Sequence, residues 1–138
     1  MKKIKIPVDS RFALVGHGYH LFHLYNEFVK NKLPNPIIIT HEKKFHLRDI
    51  RELGGDKNLY RDIFKLIKKT RVICLKDINS KSSLKLLKSF KISHLFSCSS
   101  RFIFKKSIID KFKDKIFNIH PTHLPNERGA GAFTFRIL

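Results

Sequence analysis

The sequence predicts an α/β domain, an open and mostly parallel sheet with helices on both faces. Three observations predict it. Short apolar or β-branched runs recur along the 138 residues. Stretches with a helical spacing of apolar residues lie between them. The two kinds alternate in order, as they do in parallel sheets whose strands are joined by crossover helices. No internal repeat, low-complexity tract or linker interrupts the pattern, so residues 1–138 read as one domain or the front part of one.

FALVG, Phe12 to Gly16, is an apolar run closed by glycine and predicts the first strand. GHGYHL leads into a helix in which Leu21, Leu24, Phe28 and Leu33 share roughly one face. The prolines at 34 and 36 break that helix, and the β-branched run at 37–40 predicts a buried second strand. The polar stretch 41–58, with Gly54-Gly55, reads as a loop with a helical turn in it. A short helix at 59–69 and a strand at 71–77 follow. Asn79 or Ser80 then caps a helix carrying Leu84, Leu87 and Phe90. A strand at 93–99, a short helix at 105–112 and a strand at 115–120 complete the series, and a new helix opens near Phe133.

The hydrophobic fraction of 42% fits a globular chain rather than a disordered one. The net charge of +18 comes mostly from Lys spread along the whole sequence. It reads as solvated surface more than as a nucleic-acid groove, though it would attract polyanionic substrates, nucleotide-linked ones included. No apolar run approaches the ~18 residues of a membrane span, and the N-terminus lacks the apolar core of a signal peptide. Cys74 and Cys98 fall inside strand-like runs. They are expected to be buried, reduced thiols of a cytoplasmic protein.

Gly16-His17-Gly18 occupies the place of a phosphate-binding turn but lacks a third glycine at the dinucleotide-binding spacing. His17, His20 and His23 are spaced for a shared helical face, yet no Cys or carboxylate at ligand spacing joins them, so no metal is expected. His41 and His46, with Arg48 and Asp49, follow the second strand. That is the carboxyl end of the sheet, where α/β folds bind ligands, and His41 is the candidate for substrate contact. The most pointed pattern is NIHPTHLP. Asn118 and His120 are two apart on a strand and so project the same way. An amide donor beside an imidazole suits acyl transfer, and Pro121 and Pro125 stiffen the turn that follows. Arg128 and the Gly-rich run after it supply a cation and a flexible approach to a helix. The same residues would also make a plain strand end and proline turn, with His120 merely hydrogen-bonded.

The segment FNIHPTHLPNERGAGAFTFRIL resembles the active-site segment of the folate-dependent formyltransferases. The shared pattern is Asn-x-His-Pro, then Leu-Pro, then Arg-Gly, met here by Asn118, His120, Pro121, Leu124, Pro125, Arg128 and Gly129. GAGAFTFRIL is most similar to the sugar N-formyltransferase branch. The resemblance is sharp from about Ser97 onward and only architectural before it. It implies a Rossmann-like formyltransferase fold. It also implies 10-formyltetrahydrofolate as donor, no metal, and an amino group of a nucleotide-linked amino sugar as acceptor. Methionyl-tRNA is the alternative acceptor, favoured slightly by the basic charge.

The resemblance further implies roles. Asn118 and His120 are catalytic, and the backbone at Phe102, Ile103 and Phe104 lines the pterin pocket. Arg128 and Gly129 join His41 on the substrate side. The family also uses an aspartate a few dozen positions after the histidine, which orients the imidazole. No Asp lies downstream of His120. The expectation is therefore an N-terminal, C-terminally truncated portion of such an enzyme, with uncovered apolar strand faces that favour a homodimer. An inactive remnant is the reading opposed to it.

Overall fold

The computed structural model describes residues 7, 9–52, 64 and 70–120. The helix expected at 59–69 lies outside them except for Phe64. So do Gly54-Gly55, Pro121, Pro125, Arg128, Gly129 and the helix near Phe133.

Five strands form one all-parallel sheet: β1 (Phe12–Gly16), β2 (Ile37–His41), β3 (Val72–Leu75), β4 (His94–Cys98) and β5 (Ile116–Ile119), in the spatial order β3-β2-β1-β4-β5. The helices are α1 (Gly18–Lys30), α2 (Lys43–Glu52), α3 (Lys81–Ser89) and α4 (Lys106–Phe112), and a 3-10 turn (Lys113–Lys115) leads into β5. The chain winds outward from β1 first to one side and then to the other. This leaves a topological switch point between β1 and β4, where open α/β sheets place ligands.

Strand alternation sorts the core into two layers. Phe12, Leu14 and Ile38 face α1 and pack against its Leu21, Tyr25 and Phe28. Ala13, Val15, Ile39 and Leu95 face the other way and pack against Leu87 of α3 and Ile108 and Phe112 of α4. The central strand β1 is buried along its whole length because helices cover both of its faces.

Helices α1 and α3 end in the same device. After α1, Lys32 adopts φ +53 while its N–H donates to the Val29 carbonyl and the Leu33 N–H donates to the Phe28 carbonyl. After α3, Lys91 repeats this at φ +53, with its N–H to Lys88 and that of Ile92 to Leu87. These are Schellman ends, which favour glycine at the left-handed residue. Leu33, expected on the inner face of α1, falls past that end and is half exposed. Lys91→Gly removes the left-handed penalty. It is expected to stabilise the fold by about 1 kcal/mol, read as a higher urea midpoint at unchanged slope.

Two sequence expectations need correction. The stretch taken as a loop at 41–58 contains α2, a full helix of ten residues. Its pattern is obscured because a polar residue, His46, is buried while Leu47 is exposed. Cys98 is buried as expected, but Cys74 is exposed, since β3 is an edge strand. Desolvation pushes both thiol pKa values up, so access decides between them, and Cys98 alone is buried. A thiol-disulfide reagent is therefore expected to consume Cys74 rapidly and Cys98 only on unfolding. Equal rates for the two in the native protein would contradict this packing.

Candidate functional site

The carboxyl edge of the sheet collects most of the chain's unusual chemistry. At the switch point β1 and β4 pair in register, Gly16 beside Cys98. A Cβ on Gly16 would stand 1.8 Å from the Cys98 carbonyl oxygen. The strands close so tightly here only because residue 16 has no side chain. Gly18 opens α1 at φ +65. Both glycines of the GHG turn thus serve the backbone. Across the switch point His20 Nδ1 and Ser99 Oγ share a hydrogen bond of 3.1 Å.

One strand further, β5 lies beside β4 with Asn118 against Ser97 and Ile119 against Cys98. Ile116 belongs to the core layer beneath α3 and α4, and Phe117 stacks on Phe96 on the other face, centroids 4.9 Å apart. By alternation Asn118 and His120 stand on the α3–α4 side. Asn118 is exposed and His120 half-buried, so both reach solvent at the strand end.

The segment after β4 flanks them. Phe102 and Phe104 pack inward on the core layer, whereas Ile103 between them is 82% exposed. Of the three residues expected at the donor site, only Ile103 turns its side chain outward. The other two leave their backbone there and use their rings as anchors. Asn79, expected only as a possible cap, reaches this segment. Its Nδ2 donates to the Ile103 carbonyl at 3.0 Å, and its Oδ1 accepts from the Lys105 N–H at 2.8 Å. The cap of α3 is Ser80, whose Oγ accepts from the Ser83 N–H.

On the other side of the switch point three imidazoles gather. His41 and His46 stack at 4.0 Å between centroids, and His17 meets His41 edge-on at 5.0 Å. His46 Nε2 and Thr40 Oγ1 share a 2.9 Å hydrogen bond. His41 is only 4% exposed, so it lies inside this cluster rather than on its surface. The His17, His20 and His23 spacing does not converge: His17 turns to His41, His20 to Ser99, and His23 packs on the Tyr19 ring. Among the described residues, no three His, Cys, Asp or Glu side chains are arranged to hold a metal ion. Arg48 sits over the Phe45 ring on α2.

The arrangement offers a hydrogen-bond donor and an imidazole side by side, reaching solvent, at the same sheet edge from which the segment bearing the exposed Ile103 departs. That is a place where an acyl group can be held and a proton moved. An apolar groove lined by Tyr25, Val29, Leu33 and Pro36 lies at the opposite end of α1, away from this chemistry.

No family model matches the chain. A stretch of 67 residues is 34% identical to methionyl-tRNA formyltransferase of Finegoldia magna, covering 49% of this chain and 22% of that protein. Among solved structures, phosphoribosylglycinamide formyltransferase from Bacillus halodurans superposes with a TM-score of 0.65 at 17% identity, over 93% of this chain and 64% of that one. Glycinamide ribonucleotide transformylase 1 from Geobacillus kaustophilus gives 0.63 at 16% identity, over 93% and 66%. The chain thus spans less than two thirds of the length of each of these relatives. The all-parallel order β3-β2-β1-β4-β5, with its helices on both faces, is the formyltransferase fold.

Proposed function

We propose that this chain serves formyl transfer from 10-formyltetrahydrofolate to a primary amine, with Asn118 and His120 at the reacting atoms. The observation that carries the reading is the Asn-x-His pair at the carboxyl end of β5, solvent-facing, in a formyltransferase fold. The donor supplies the formyl group and a leaving nitrogen. The Asn118 carboxamide donates a hydrogen bond to the formyl oxygen as negative charge builds there. His120 takes a proton from the attacking amine and helps deliver one to the leaving nitrogen. The surroundings fit a flat, amphipathic donor. Ile103 exposes apolar surface, and the backbone around Phe102, Ile103 and Phe104 offers polar edges.

For the acceptor we propose a nucleotide-linked amino sugar, on the similarity of the GAGAFTFRIL segment. Arg128 and Gly129 are assigned to it. His41, buried in the imidazole cluster, bears on it by holding the half-buried His17 ring. Methionyl-tRNA is a second reading, favoured by the relative from Finegoldia magna and by the charge of +18. Transfer of labelled formyl from the donor to each acceptor separates them. Labelled amino sugar supports the first. Labelled methionyl-tRNA, with affinity falling steeply as salt rises, supports the second. Transfer to neither acceptor sinks both.

A further inference from the structure

We infer that Asn79 is a positioning residue for the donor site, clamping residues 103–105 in the extended shape that the donor meets. The inference rests on the formyl-transfer reading, and it starts from a weakness of the sequence. The residue at the cap position before α4 is Lys105, whose side chain cannot accept a hydrogen bond and does not cap the helix. The segment leading into α4 therefore needs to be held from elsewhere.

Asn79 does this with both ends of its carboxamide. Nδ2 donates to the Ile103 carbonyl and Oδ1 accepts from the Lys105 N–H, so one side chain pairs with two backbone groups as a neighbouring strand would. The amide cannot be turned over, because Nδ2 also donates to Asp77 Oδ1 at 3.0 Å and a carboxylate only accepts. The Asn79 N–H donates to the same oxygen at 2.9 Å. These bonds, backbone first, hold the Asp77 carboxyl below its usual range, so it remains an acceptor.

The base of the clamp is itself tied down. Ser83 Oγ donates to the Asp77 carbonyl at 2.7 Å, and Ser80 Oγ accepts from the Ser83 N–H. With Phe102 and Phe104 anchored in the core, residues 103–105 are fixed on both sides, and Ile103 is left pointing outward. Only an amide of this length satisfies a donor and an acceptor two residues apart in this way.

The test uses Asn79→Ala, which removes both bonds, and Asn79→Asp, which keeps the acceptor and loses the donor. Two readouts are needed: affinity for 5-formyltetrahydrofolate by calorimetry, and amide hydrogen exchange residue by residue. Asn79→Ala is expected to weaken the folate by on the order of tenfold, and Asn79→Asp, which sets a second carboxylate against Asp77 Oδ1 and the Ile103 carbonyl, by at least as much. In both variants Ile103 to Lys105 should exchange faster while β1 and β4 do not. Unchanged affinity in Asn79→Ala overturns the inference, and so does faster exchange spread evenly over β1 and β4, which would mark a general loss of stability. If the unaltered chain binds no folate, the functional reading falls by itself and exchange alone decides the clamp. Acceleration confined to residues 103–105 keeps it, and no acceleration overturns it.

Discussion

His120→Ala is expected to lower formyl transfer by roughly 10²- to 10⁴-fold, and Asn118→Ala by roughly 10²- to 10³-fold, with the fold intact in both. The reasons differ. On the proposed reading His120 moves a proton in the transition state, so its loss should fall on kcat and leave donor affinity nearly untouched. In the same proposal Asn118 stabilises charge that exists only as the formyl carbon is attacked, so its loss too should act on kcat. The two act on one event, and the double variant should lose far less than the product of the single losses. Both side chains stand at the end of a strand with solvent beside them, so truncating them opens no core cavity. A rate for His120→Ala equal to that of the unaltered chain would end the catalytic assignment. The plain reading of a strand end and a proline turn predicts that outcome, together with some loss of stability.

Much of the fold was legible in the sequence because its strands are of the simplest kind. FALVG and IIIT are apolar without interruption, as strands covered on both faces must be, and each was placed almost to the residue. α2 was missed for a related physical reason. Its buried position is taken by His46, held by Thr40 and stacked on His41, while its lone Leu points to solvent. An imidazole at the buried position of a helix interrupts the apolar period that would have revealed it. The Asn118–His120 pair was legible because two residues on one strand need only alternation to be brought together. Asn79 was not, since its partners lie 24 and 26 residues away across two helix openings. The one available signal was negative: Lys105, at the cap position before α4, does not cap it. The imidazole cluster escaped for the same reason, drawing His17, His41 and His46 from three separate elements.

Gly16→Ala is expected to cost roughly 3 kcal/mol or more, because a steric clash adds to the strain of placing a side chain at φ +157. The new Cβ would meet the Cys98 carbonyl oxygen at 1.8 Å, a backbone atom that no side-chain rotation can move aside. Relief requires β1 and β4 to part at their carboxyl ends, in the middle of the sheet. That would strain the Gly16–Cys98 pairing and shift Ser99, from which residues 103–105 follow. Gly18→Ala supplies the contrast. Gly18 has φ +65, and placing a Cβ there costs about 1–2 kcal/mol of left-handed strain. Urea unfolding of the two variants distinguishes the causes. A much larger loss for Gly16→Ala locates the tightest point of the molecule at the switch point. Equal losses would mean that β1 and β4 yield there, and the site edge would then be softer than its geometry implies. The same experiment bears on function. If the switch point is rigid, Gly16→Ala should also weaken donor binding, because the segment leaving β4 starts from the atom that has to move.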